Sequence, residues 1–337
     1  FFFDEIMYRV NSSIVPAACR LSQTRGYASF FEEKPLAVAW FTPVGVLGSG
    51  IMGGGIASTA AINGLNVTMV DIKQELLDKA MKDAEEMGKK VFDFQVKRGK
   101  MKPAFAKKTL EDGLKRIKCT TDMNALNECD VVIESIVENL DIKKKALGDL
   151  GKVMRPGTIV GSNTSSLSIT ELGQYYSDPS AFCGIHFFNP VLVMQLVEVI
   201  RTKDTSDRTY NAAKRFSELL GKKVVTCGDT PGFIVNRLLV PYLTQACLML
   251  DRGDATFSDI DKAMKLGAGM PQGPFQLADF VGLDTAQAIL EGWVEKMPEE
   301  KIFCVPEALK AKVAEGKLGR KTGEGFWKWD GDKIVEV

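Results

Sequence analysis

The only histidine in this 337-residue chain, His186, lies in the pentapeptide His-Phe-Phe-Asn-Pro, and Glu198 follows twelve residues later. Imidazole is the side chain that titrates nearest neutrality, so a solitary histidine between apolar strands and a Pro turn is a candidate general base. A buried histidine satisfied by a backbone carbonyl is the competing reading. A second chemistry is written at Gly48-Ser49-Gly50-Ile51-Met52-Gly53, a GxGxxG string with a short apolar run before it and a helical run after it. In that context Gly48 permits a tight turn, Gly50 lets the backbone approach a pyrophosphate, and Gly53 lets helix pack closely on strand. The helix N-terminus then faces the phosphates with free N–H groups. The next strand ends in Asp71, an acid that suits adenosine ribose hydroxyls and would repel a 2′-phosphate, so NAD is favoured over NADP.

These groups need elements to hold them. Strands are expected at 44–47, 66–70, 131–136, 158–160, 183–186, 196–200 and 223–226, several of them separated by helical stretches. Such alternation implies an α/β, Rossmann-type doubly wound and largely parallel sheet, with ligands beyond the carboxyl ends of the strands. Glu138-Asn139, the run from Ser162 to Ser166, and His186 to Asn189 all fall just after expected strands, so three polar clusters converge on the cofactor's edge of the sheet. After Thr226 no strong strand signal remains apart from 325–329. Leu238, Leu239, Tyr242, Leu243, Ala246 and Leu250 follow a helical period, which core packing and a subunit contact explain equally well. The expected organisation is a tail over 1–40, a dinucleotide domain over 41–228 and a smaller all-helical domain over 229–337.

Lys+Arg and Asp+Glu balance at 43 each, so no global field recruits nucleic acid or an anionic membrane surface. Seven scattered cysteines without a CxxC pair argue against a disulfide framework or a zinc site, and no metal is expected. Residues 35–70 carry no charge, but Pro43, seven glycines, Asn63 and Asn66 argue against a membrane span. A charged helical stretch over 74–100 carries Lys89, Lys90, Lys97, Arg98 and Lys100; it reads as a solvated face, or else as a docking surface for an anionic substrate handle. From Met7 to Phe31, three arginines and several hydroxyl residues occur without an acid, the composition of a mitochondrial transit peptide, and 25–29 looks like a matrix-peptidase site. Residues 1–6 fit no targeting pattern, so translation is expected to start at Met7.

The strings SNTSSLSITEL, GIHFFNPVLVMQLVEVI, DTPGFIVNRLLVPYL, MKLGAGMPQGPFQLADFVGLDT and GRKTGEGFWKW closely resemble the monofunctional, short-chain mitochondrial L-3-hydroxyacyl-CoA dehydrogenase family, from about 44 to 329. The resemblance implies NAD-dependent oxidation of 3-hydroxyacyl-CoA to 3-ketoacyl-CoA in fatty-acid β-oxidation, in the mitochondrial matrix, by a homodimer joined through its helical domain. It makes His186 the base and Glu198 the carboxylate that orients it, fixing the tautomer and stabilising the imidazolium. Ser165 matches a serine that hydrogen-bonds substrate, and Asn236 an asparagine near the substrate carbonyl; neutral donors there would favour charge developing on oxygen. Ser165, Asp71, Glu138, Lys143, Asn189 and Lys321 match cofactor-contacting positions, although Lys143 and Lys321 taken alone read as surface lysines. A CoA-contacting serine and lysine of the family stand here as Met87 and Phe94, leaving Lys89, Lys90 or Lys97 for the CoA handle. The alternatives are a gulonate dehydrogenase-like enzyme of free hydroxy or sugar acids, and a crystallin-like protein without turnover.

Overall fold

The computed structural model describes residues 43–335, which pack as two units, 43–233 and 234–335. The leader and start site expected within 1–40 lie outside the described residues.

In the first unit, β1 (Val44–Leu47), β2 (Val67–Val70), β3 (Ile117–Thr120), β4 (Val131–Glu134), β5 (Ile159–Ser162), β6 (Phe182–Phe187), β7 (Leu196–Arg201) and β8 (Lys223–Gly228) form one sheet, in the order β3-β2-β1-β4-β5-β6-β7-β8. Strands β1 to β6 pair in parallel, β7 runs antiparallel to β6, and β8 runs parallel to β7. The first six follow the order of a doubly wound dinucleotide fold, whose ligand crevice opens where the winding reverses, between β1 and β4. The helices are α1 (Ile51–Ile62), α2 (Gln74–Lys97), α3 (Pro103–Leu114), α4 (Leu140–Val153), α5 (Ile169–Gly173) and α6 (Asp207–Leu219). One core joins α1, α2 and α6 to Val46, Met69 and Ile133; another joins α4 and α5 to Val132 and Val160. Covered on both faces, β1, β2, β4 and β5 are buried along their whole length, which is why they read as apolar runs without alternation.

In the first unit the structure departs from the sequence pattern in three places. Strand β3 has no counterpart in it, because Ile-Lys-Cys-Thr is a short, half-exposed edge with a lysine inside. The charged helical stretch expected over 74–100 is the single helix α2, but beyond it the chain turns at Gly99, φ 67°, and Pro103 opens a further helix, α3, that the pattern does not contain. Strand β6 continues to Phe187, so His186 sits within the strand and not after it.

The second unit contains α7 (Val235–Asp251), α8 (Phe257–Gly267), α9 (Pro274–Val281), α10 (Leu283–Lys296) and α11 (Glu307–Ala314) around Phe275, Leu283, Leu290, Leu309 and Phe326. It is helical apart from an antiparallel ribbon of β9 (Lys328–Asp330) and β10 (Lys333–Val335). Distant aspartates satisfy helix starts in both units. Asp229 accepts from the Ile169 and Thr170 amides at 3.0 and 2.8 Å, and Asp251 from those of Glu307 and Ala308 at 2.9 and 2.7 Å. Such first-turn donors have no partner inside the helix, and a cap is worth about 1 kcal/mol. Among the described residues no helix is long and apolar enough to cross a membrane.

Candidate active site

The glycine turn between β1 and α1 is built as its spacing requires. Gly48 has φ +99°, a left-handed conformation that favours glycine, and a Cβ there would stand 2.5 Å from Ser135 O. A Cβ on Gly53 would overlap Gly48 O, whereas one on Gly50 would meet nothing within 4 Å. Gly50 therefore faces open space at the N-terminus of α1, where the first N–H groups lack intrahelical partners and favour an anion. Asp71, just past β2, accepts from Ser49 N at 2.6 Å and Ser49 Oγ at 2.7 Å, tying the end of β2 to the glycine turn. These features fit a dinucleotide. Two substitutions separate ligand space from packing. Gly50→Ala should leave the melting temperature of ligand-free protein within about 2 °C yet weaken NADH binding about tenfold or more, read by fluorescence titration. Gly53→Ala should destabilise the protein itself by about 3 kcal/mol in denaturant unfolding, because backbone cannot yield as a side chain can.

Beside that turn, the ends of β4 and β5 carry a buried charge network. Glu134, fully buried, accepts from Lys143 Nζ and Ser162 Oγ, each at 2.5 Å. Lys143 is 1% exposed and stands 3.4 Å from Glu138 Oε2, so it is no surface lysine. Glu138 Oε1 in turn accepts from Thr164 Oγ1 at 2.5 Å, Ser165 N at 3.0 Å, Ser166 N at 3.1 Å and Ser166 Oγ at 3.0 Å. Burial alone would raise the Glu138 pKa; the Lys143 charge and these hydrogen bonds outweigh it and hold the carboxyl below its ordinary value. Glu138 and Lys143 thus organise the loop after β5. Within that loop the hydroxyls of Ser162, Thr164, Ser166 and Ser168 are all bonded, while that of Ser165 has no partner among the described residues.

His186 and Glu198 face each other directly across β6 and β7, with Nδ1 2.7 Å from Glu198 Oε2. Because β7 is antiparallel, its first residues lie at the edge where the parallel strands end. A carboxylate near the start of β7 therefore meets an imidazole near the end of β6. Glu198 is fully buried and His186 5% exposed, and the imidazole sits between Phe188 and Phe233, ring centroids 4.6 and 5.5 Å away. Its Nε2 makes no hydrogen bond among the described residues. Asn163, which the sequence pattern places in the polar run after β5 without giving it a role, accepts from Phe187 N at 2.8 Å through Oδ1 and so holds the backbone next to His186. An imidazole fixed through one nitrogen, with the other open, can exchange a proton with a hydroxyl beyond this edge. Asn189, two residues past the strand, is exposed.

Residues 43–230 match the model of the 3-hydroxyacyl-CoA dehydrogenase NAD-binding domain, and 232–329 that of the 3-hydroxyacyl-CoA dehydrogenase C-terminal domain. The chain belongs to the 3-hydroxyacyl-CoA dehydrogenase family. It is 47% identical over 291 residues to the human mitochondrial hydroxyacyl-coenzyme A dehydrogenase, covering 85% of this chain and 90% of that protein. A probable 3-hydroxyacyl-CoA dehydrogenase of Caenorhabditis elegans is 46% identical over 288 residues, covering 85% and 92% of the two chains. The crystal structure of (S)-3-hydroxybutyryl-CoA dehydrogenase from Ralstonia eutropha superposes with a TM-score of 0.79 at 40% identity, covering 86% of this chain and 99% of that one.

The remaining positions suggested by the 3-hydroxyacyl-CoA dehydrogenase resemblance lie on α2 and in the second unit. Asn236 is the second residue of α7, half-buried. Lys321 pairs with both oxygens of Asp284, at 2.5 and 2.6 Å. On α2, Lys89 pairs with Glu85 at 2.5 Å, which raises its pKa, and Lys90 is exposed. Met87 and Phe94 are half-buried on the same helix, and the Arg98 guanidinium stacks 4.7 Å from the Phe94 ring centroid.

Proposed function

We propose that this protein oxidises L-3-hydroxyacyl-CoA to 3-ketoacyl-CoA in the β-oxidation of fatty acids in the mitochondrial matrix. The observation that carries the mechanism is the fixed His186–Glu198 pair on the sheet edge that also bears the glycine turn. His186 Nε2 accepts the proton of the substrate 3-hydroxyl, and Glu198 on Nδ1 holds the ring and balances the imidazolium. NAD, when bound, accepts the hydride from the same carbon. The Ser165 hydroxyl, uncommitted within the protein, donates to the substrate oxygen on which charge develops. Gly48, Gly50, Gly53 and Asp71 hold the dinucleotide, with Glu138, Lys143 and Asn189 lining its edge of the sheet.

Asn236 and Lys321 keep the roles that family membership suggests, contact to substrate and to cofactor. Lys90 and Lys97, with Arg98 steadied on Phe94, take the phosphates of the CoA handle in place of the family's serine and lysine, and Lys89 joins them if Glu85 releases it. Leu238, Met249, Val281 and Val294 are exposed apolar side chains of the second unit, area that a second copy of the chain covers in a homodimer. Initial rates of NADH oxidation with acetoacetyl-CoA and with free acetoacetate test the reading. It requires fast turnover of the thioester alone. Turnover of the free acid would make the protein a hydroxy-acid dehydrogenase, and NADH binding without turnover of either would make it non-catalytic.

A further inference from the structure

Lys222, the residue before β8, is 8% exposed and has no ion-pair partner among the described residues. Its Nζ donates to Val191 O and, at 2.8 Å, to Met194 O. Taking an ammonium out of water without a carboxylate beside it is unfavourable, and burial pulls the pKa of this one down to about 8. The two carbonyls it engages are those of the turn joining β6 to β7. That turn is closed internally by Val193 N and Met194 N, which both donate to Pro190 O, at 3.0 and 2.9 Å. Its floor is Val191, 3% exposed and packed against Gly55 of α1, where an added Cβ would stand 3.0 Å from Val191 Cγ2. Its exit is held by Lys223 N on Gln195 O at 2.7 Å. Only three residues separate His186 from Pro190, and three separate Met194 from Glu198. The turn that Lys222 clamps therefore sets both the register of the pair and its height over α1.

We propose that Lys222 is a positioning residue for the His186–Glu198 pair: its buried ammonium locks the β6–β7 turn and thereby fixes the imidazole against the dinucleotide-binding helix. This rests on His186 being the base. Displacing a reacting group by about 1 Å is enough to lose about a hundredfold in rate. Lys222→Met, close in shape but without the donors, should therefore lower kcat with acetoacetyl-CoA and NADH about tenfold or more. The NADH dissociation constant should stay within about twofold and the melting temperature within about 4 °C. Because the effect passes through His186, adding Lys222→Met to His186→Gln should cost no further turnover. Overturning outcomes are a kcat of K222M within about threefold of the parent, or losses that multiply in the double variant. Full activity of H186Q alone would instead sink the assigned base, and so separates the two failures. Should K222M not fold, amide exchange of the parent protein decides. The Val193 and Met194 amides must be protected as well as those of β6 and β7, and exchange near free-chain rates would refute the clamp.

Discussion

His186→Gln should lower turnover of acetoacetyl-CoA by about two to four orders of magnitude, the range that a positioned general acid–base contributes. Glutamine can still hydrogen-bond toward Glu198, but it cannot take a proton from the 3-hydroxyl as the hydride leaves. The loss should appear almost entirely in kcat. The glycine turn and Asp71 lie at the ends of β1, α1 and β2, and among the described residues none of their hydrogen bonds involves β6. NADH affinity, measured by fluorescence, should accordingly change by no more than about twofold. Glu198→Gln keeps the shape and loses the charge that holds the ring; its turnover should fall between those of parent and H186Q. If H186Q kept more than about a tenth of the parent rate, proton transfer would have to run through another group, and the side chains of the Ser165 loop would be the first to test.

The parts of this site that are readable in the sequence are those whose chemistry is local. The glycines, the strand before them and the acid ending β2 are close together in the chain, and each is explained by its immediate neighbours. The pairing of His186 with Glu198 is different. Twelve residues say nothing about contact until β7 is known to run antiparallel to β6 and the turn between them is known to close at Pro190. Lys143 misleads for a related reason. It belongs to a run of three lysines, Lys143 to Lys145, and a run reads as solvated; only the helix phase turns the first inward onto Glu134 and Glu138 while Lys145 remains exposed. Lys222 and Lys223 repeat the case at a strand, where adjacent side chains point to opposite sides and one lysine is buried. A charge pattern gives composition, and burial follows from phase. The Ser165 loop shows the limit from the other direction. Its five hydroxyl residues are plain in the sequence, but which hydroxyl is left without a partner among the described residues emerges only after Glu134, Glu138 and Asp229 have claimed the others.

The two C-terminal strings that contain GPF and GFW carry no evident chemistry, and the second unit accounts for them through two buried carboxylates. Asp279 in α9, 1% exposed, accepts from Phe326 N at 2.9 Å, Trp327 N at 2.8 Å and Trp329 Nε1 at 2.9 Å. Asp261 in α8, equally buried, accepts from Phe275 N at 2.7 Å, Gln276 N at 3.0 Å and Trp327 Nε1 at 2.7 Å. A Cβ on Gly325 would overlap Asp279 Oδ1, so that glycine follows from the close approach of chain to carboxylate. Asp279→Ala would orphan one buried donor, Phe326 N, and two on the half-buried Trp327 and Trp329, each worth up to about 1–3 kcal/mol when left unpaired. The second unit should then lose about 3–6 kcal/mol, seen in calorimetry as a separate, earlier transition while the first unit melts near its parent temperature. Burial raises the pKa of both aspartates, that of Asp261 to about 6, against the hydrogen bonds that favour the charge. With a folded value above its unfolded one, Asp261 keeps its proton to higher pH in the folded chain, so its contribution to stability grows on acidification and falls as pH rises through about 6. The Asp279 pKa is raised in the same direction, so the deficit of D279A relative to the parent should grow as pH falls. One cooperative transition unchanged from the parent would mean that water satisfies those donors and that the tryptophan ring contacts, not the carboxylates, close the unit.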